Sequence, residues 1–148
     1  MLTLHSAALL CRVRDGEPVP EHAVLVDGDR VAAVGPLAEL SAAYTGARVR
    51  GWPGTLGPGL LHDGPLPPAP TPRERVHALL HTGVTAVLAE HLADPALRAA
   101  AERSDLLVLP TAVVPTLRPD GRADLAVHGD DGTCLVTVIA GRIVHRRA

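Results

Sequence analysis

The sequence predicts a mainly β domain built from both ends of the chain, with a short α/β insert between them. Three observations carry this expectation. Apolar runs separated by Asp-Gly and other glycine turns fill the first and last thirds. A proline-rich stretch over 64–72 interrupts them, and the segment that follows alternates helical and strand patterns. With 148 residues, the chain has the length of a single domain and is well short of the roughly 250 residues of a closed (β/α)₈ barrel.

The first third is read as β structure. Ala8 to Val13 is an apolar run ended by Asp15-Gly16, and Ala23 to Val26 meets Arg30 to Val34 across Asp27-Gly28-Asp29. Asp-Gly between two apolar runs signals a hairpin, because the turn requires a positive φ that glycine adopts without strain. Gly35-Pro36 closes that pair, a short helix is expected over Leu37 to Ala43, and Ala47 to Arg50 resumes an alternating strand. Trp52-Pro53-Gly54 and Gly57-Pro58-Gly59 then punctuate the chain.

Prolines at 65, 67, 68, 70 and 72 favour a stiff, extended linker. Thr71-Pro72-Arg73-Glu74 reads as a capping box with proline at the first helical position, and Val76, Leu79 and Leu80 supply the apolar stripe before Gly83. Val84 to Ala89 is continuously apolar, as a strand covered on both faces would be. Asp94-Pro95 opens a second helix to about Arg103, and Asp105 to Pro110 gives another short buried strand. Ala123 to His128, Thr133 to Ile139 and Arg142 to His145 return to antiparallel signals, with turns at Asp130-Asp131-Gly132 and Ala140-Gly141. The expected core includes Leu10, Val24, Val26, Val31, Val34, Leu125, Val136, Val138 and Ile143.

Composition narrows the function classes. Hydrophobic residues make up 47%, with no Phe, one Trp and one Tyr, so the core must be packed from small aliphatic side chains. Net charge is −2 with acids and bases interspersed, which leaves no basic stripe for nucleic acid. No apolar run approaches the ~20 residues of a membrane span, and the N-terminus lacks a basic region before an apolar one. A cytoplasmic protein without nucleic-acid or membrane partners is expected. Cys11 and Cys134 lie far apart in apolar segments and are read as buried free thiols.

Several motifs together resemble the amidohydrolase superfamily, in particular imidazolonepropionase and aminodeoxyfutalosine deaminase-like enzymes. Val24 to Gly35 is similar to the opening hairpin of those enzymes, Pro58-Gly59-Leu60-Leu61 to the entrance of their first barrel strand, and His81 to Val87 to the approach to the second. Arg122 to Val127 and Val138 to Val144 resemble the closing strands. The resemblance implies a composite-domain β-sandwich made from residues 1–63 and 117–148. A Pro-rich linker and an α-β-α-β barrel remnant would occupy 64–116, the whole forming one structural domain.

The departures from that family bear on function. Its members carry a His-x-His metal pair shortly after the Pro-Gly-Leu entrance, and here those two places hold Gly64 and Leu66. Neither can ligate a metal, and the segments that would bring later ligands are missing. No catalytic residue, metal or cofactor is therefore expected, and the chain is read as a non-catalytic, amidohydrolase-related protein. It would act by binding a partner protein or a small metabolite. Faces that lost their barrel neighbours favour a homodimer.

One alternative is a minimal metal-dependent hydrolase of non-peptide C–N bonds with a rebuilt site. If the first two barrel strands persist as parallel neighbours, His62 and Asp63 end beside Glu90 and His91. Imidazole and carboxylate at adjoining strand ends suit zinc, with His62, Asp63 and His91 as ligands, or acid–base work by all four. Residues in such places are ordinarily solvated loop residues. His77 and His81, at i and i+4 on the first insert helix, are placed on a solvent-facing flank, and His5, His22, His128 and His145 are expected at the surface near strand ends.

Overall fold

The computed structural model describes residues 1–147. The first part comprises β1 (Leu2–Leu10), β2 (Val19–Pro20), β3 (His22–Asp27), β4 (Arg30–Pro36), α1 (Leu37–Ala43) and β5 (Arg48–Pro58). The middle comprises β6 (Leu60–His62), α2 (Pro72–Leu80), β7 (Val84–Leu88), a 3-10 turn (Ala89–His91), α3 (Pro95–Arg103) and β8 (Leu107–Leu109). The chain closes with β9 (Leu125–His128), β10 (Cys134–Ile139) and β11 (Arg142–Arg146).

Both chain ends enter one eight-stranded sheet in the order β11-β10-β9-β5-β1-β3-β4, with β2 beside β1. The β1–β5 pair is parallel; its neighbours are antiparallel. Because Val24, Val26 and Val31 from one end share a core cluster with Val136 and Val138 from the other, the sheet must fold over on itself. The sandwich is thus a single curled sheet. An isolated backbone bridge between Arg30 and Arg122 joins β4 to the segment that leads into β9. Leu10, Val24, Val26, Val31, Leu125, Val136 and Val138 are buried in that cluster, with Val34 and Ile143 packed partly buried against it. Each full burial of such a side chain favours folding by about 1.5–3 kcal/mol.

The local signals act where they stand. β3 and β4 pair with Asp27 opposite Arg30, and Gly28 turns the chain at φ 62°. Thr71 Oγ1 accepts the Glu74 backbone N–H at 3.2 Å, Pro72 begins α2, and Asp94 Oδ1 accepts the Ala96 N–H at 2.9 Å to start α3. Strands β6, β7 and β8 form a separate parallel sheet. Helices α2 and α3 cover one face of it through Val76, Leu79, Leu97 and Ala101, which close a second core with Val84 and Val87.

Long-range pairing revised several expectations. The first strand runs from Leu2 to Leu10 instead of Ala8 to Val13, because residues 3–10 find a parallel partner in β5. β5 itself runs past Pro53-Gly54, which reads as a break in the sequence. Ala7 pairs with Trp52 and Leu9 with Thr55, so β5 holds one extra residue there, and a bulge absorbs the proline. β8 is shorter than expected and Leu107 is exposed. His5 is not a surface residue: it is 2% exposed in the centre of β1. Both cysteines are free, Cys134 buried and Cys11 only partly so. Among the described residues no helix is long and apolar enough to cross a membrane.

Candidate functional site

The α/β insert brings its chemistry to the C-terminal ends of β6 and β7. Pairing of these two strands is parallel, with His62 opposite Val87, so the residues after each strand emerge side by side. Asp63 follows β6 directly. Glu90 and His91 stand on the 3-10 turn after β7, which is held between buried Leu88 and buried Leu92 and closed by the Leu92 N–H on the Ala89 carbonyl at 3.0 Å. Hydrophobic anchors on both sides fix where the two polar side chains leave the backbone.

His91 Nε2 lies 3.3 Å from Asp63 Oδ1 and 3.8 Å from Glu90 Oε1. One ligating atom from each of the three residues falls within 4.8 Å of the others. His91 is mostly covered, its side chain 21% exposed, while the two carboxylates reach into solvent. His62 does not join them. Its Nε2 lies 2.9 Å from the Pro65 carbonyl, which turns the ring toward the linker. Of the four residues expected at this mouth, three converge and one is diverted.

The two positions where a family member would carry its histidine pair do not point at this cluster. Gly64 has no side chain to offer. Leu66 is 2% exposed and belongs to the core shared with Val76, Val87 and Leu92. Arg75 of α2 fastens the same stretch, donating from Nη2 to the Leu66 carbonyl at 2.8 Å and from Nε to the Pro67 carbonyl at 3.0 Å. The linker is therefore packed down as structure, and the donor set of these two positions does not fit a metal.

The other histidines divide by environment. His77 and His81 are exposed on α2 as expected. The ring of His81 meets that of His145 at a centroid distance of 4.6 Å, a contact between α2 and β11 that no local pattern signals. Buried His5 accepts a hydrogen bond on Nδ1 from Trp52 Nε1–H at 3.2 Å. Its pKa falls to about 4, first through burial and then through the charge of Arg50. Imidazolium has no counter-charge there, so the group is structural.

Two features escaped the sequence reading. A cavity of about 200 Å³ lies between the small sheet and the segment that leads into β9, lined by Leu61, Thr85, Leu109, Val114, Arg118 and Arg122 among others. On its border Arg122 Nε donates to both carboxylate oxygens of Asp124 at 2.9 Å, and Asp124 Oδ1 also accepts the Ala140 N–H at 3.0 Å. Burial raises the Asp124 pKa against those two partners. Arg-Ala-Asp-Leu at 122–125 was the available signal, but nothing local marks it as a half-buried ion pair. A wider cleft of about 520 Å³ passes Cys11, Thr55, Thr82 and His128. Burial pushes the Cys11 thiol up, opposite to the shift a nucleophile needs.

Comparison with known proteins bears on the fold. Residues 23–47 match the bacterial imidazolonepropionase-like composite domain. The fold is similar to Helicobacter pylori aminofutalosine deaminase, with a TM-score of 0.56 at 15% identity over 73% of this chain and 32% of that one. It is also similar to E. coli guanine deaminase, with a TM-score of 0.53 at 14% identity over 73% and 35%. An adenosine deaminase from Xanthomonas campestris with bound zinc gives a TM-score of 0.50 at 15% identity over 77% and 36%. The chain thus spans about a third of the length of these structures. No curated protein matches it by sequence.

Proposed function

Starting from a chain that carries an imidazolonepropionase-like composite domain in the fold of amidohydrolase-superfamily deaminases, we propose that it is a non-catalytic relative that acts by binding. The observation that carries this reading is Leu66. The place of a metal-ligating histidine is taken by a leucine that is 2% exposed in the core, under a linker clamped by Arg75. Recovering a ligand there would require unpacking that core, so the loss is built into the fold.

The binding mode follows from what the small sheet leaves uncovered. β8 is an edge strand, and Leu107, Val113 and Val114 beside it are 40%, 56% and 63% exposed. Apolar side chains grouped at an open strand edge favour association, and a homodimer in the cytoplasm is the proposed state. A small metabolite in the neighbouring cavity is compatible with it. The second reading, a minimal C–N hydrolase, is favoured by the convergence of Asp63, Glu90 and His91.

The deciding experiment follows ammonia release from adenosine and guanine, and ring opening of a cyclic amide, in zinc-supplemented buffer, with sedimentation velocity on the same preparation. No turnover and a concentration-dependent dimer are expected. Turnover abolished both by a chelator and by His91→Ala would replace this reading with the hydrolase. A monomer at every concentration would remove the dimer.

A further inference from the structure

The geometry points to a divalent transition-metal site made by Asp63, Glu90 and His91, at a place distinct from the forfeited positions of Gly64 and Leu66. It does not depend on the protein being catalytic, since a metal can be held here whether or not a substrate follows.

Three features support it. The first is ligand spacing. Zinc bonds to nitrogen and oxygen donors of about 2.0–2.2 Å place tetrahedral ligands roughly 3.3–3.6 Å apart. The His91–Asp63 separation of 3.3 Å already meets that spacing, the His91–Glu90 separation is 3.8 Å, and with all three donor atoms within 4.8 Å of one another the two exposed carboxylates must rotate inward to close on the ion. The donors come from two backbone segments locked in register by the β6–β7 pairing, so no rearrangement of the chain is needed.

The second feature is that the cluster is poorly satisfied by its own members. A single imidazole nitrogen faces two carboxylate oxygens, yet Nε2 can donate at most one hydrogen bond, and its contact with Asp63 is long for one. A dication accepts lone pairs from all three groups, and two carboxylates with a neutral imidazole match its charge. The third is coordination left open. With His62 held on the Pro65 carbonyl, the protein supplies three donors and solvent completes the shell. One nitrogen and two oxygens suit zinc, iron or manganese better than magnesium, which retains its waters.

The test is competition for zinc between the intact chain and a chromogenic chelator, using zinc chloride as the probe. Wild type is expected to withdraw one equivalent. His91→Ala and Asp63→Asn should each weaken that binding at least tenfold, and Glu90→Gln by a smaller factor, while His77→Ala on α2 leaves it unchanged. Circular dichroism of each variant without metal checks folding, and the exposed Glu90→Gln change keeps the test valid if another variant unfolds. Wild type that withdraws no zinc would overturn the site, as would folded His91→Ala and Glu90→Gln proteins that bind as wild type does. Zinc binding without turnover leaves the non-catalytic reading intact, whereas turnover without site-dependent zinc binding overturns both.

Discussion

The Trp52 indole N–H donates to His5 Nδ1 across the parallel β1–β5 pair. The bond holds only while that nitrogen is unprotonated. Both residues are one of a kind in this environment: Trp52 is the sole tryptophan, and His5 is the one histidine classed as buried among the described residues. The Arg146 guanidinium lies 5.1 Å from the Trp52 ring centroid, which ties β11 to the same contact.

This relationship makes stability depend on pH. The folded pKa of His5 is lowered from 6.5 to about 4, chiefly by burial, so the unfolded chain binds the proton more readily. Stability from the neutral form is complete above about pH 6.5 and is lost as pH falls toward 4, by up to ~3 kcal/mol. Asp124 works in the opposite sense, because its raised pKa favours the folded state when protonated. Urea unfolding at pH 7.5 and 4.5 should show the drop for wild type. His5→Gln should flatten the difference, since it removes this titration and leaves that of Asp124. Equal drops in the two proteins would exclude His5 as the cause.

Leu66 gives a second prediction. With the side chain 2% exposed among Val76, Val87 and Leu92, Leu66→Ala should cost about 2–5 kcal/mol by lost burial and a residual cavity. Leu66→His should destabilise the fold similarly without creating a metal site, since the imidazole would face the core. Thermal melts with and without zinc check both. A Leu66→His protein that gains stability in zinc would mean that this position still reaches a ligand cluster.

The legible parts of this fold were those whose cause lies within a few residues. Gly28 in its hairpin, Thr71 and Asp94 as caps, and the β6–β7 alignment behind the Asp63–His91 contact all follow from local chemistry plus the rule that parallel strands end together. What could not be read depends on partners far along the chain. Leu4, His5 and Ser6 are all buried because β1 lies inside a sheet that curls over itself, so the alternation of exposed and buried faces is lost. Pro53-Gly54 read as a stop because the bulge that accommodates it exists only against β1. His62 is the exception, since the Pro65 carbonyl that takes its ring lies only three residues on.

Gly59 is confined by Thr85. A Cβ added at Gly59 would stand 2.1 Å from Thr85 Oγ1 and 2.7 Å from its Cβ, and Thr85 is itself 2% exposed. Gly59→Ala must therefore push β6 from β7, at an expected cost of about 1–3 kcal/mol. Thr85→Ala in the same chain should recover part of it. A double-mutant cycle by urea denaturation measures the coupling, and additive effects would show that the clash is not the source.

Thr137 joins the two halves of the molecule by one hydrogen bond. It is fully buried on β10, and its hydroxyl donates to the carbonyl of Leu80, the last residue of α2, at 2.7 Å. Helix ends leave carbonyls without intrahelical partners, and this one otherwise meets only the Gly83 backbone N–H, at 3.4 Å. Thr137→Val keeps the volume and removes the hydroxyl donor, so the Leu80 carbonyl keeps only that long contact, at about 1–2 kcal/mol. Thr137→Ser keeps the donor and loses only a methyl group, for roughly 1 kcal/mol. The urea midpoint should fall in that order with an unchanged slope. A valine variant as stable as wild type would mean that the α2 terminus is held by its apolar contacts alone.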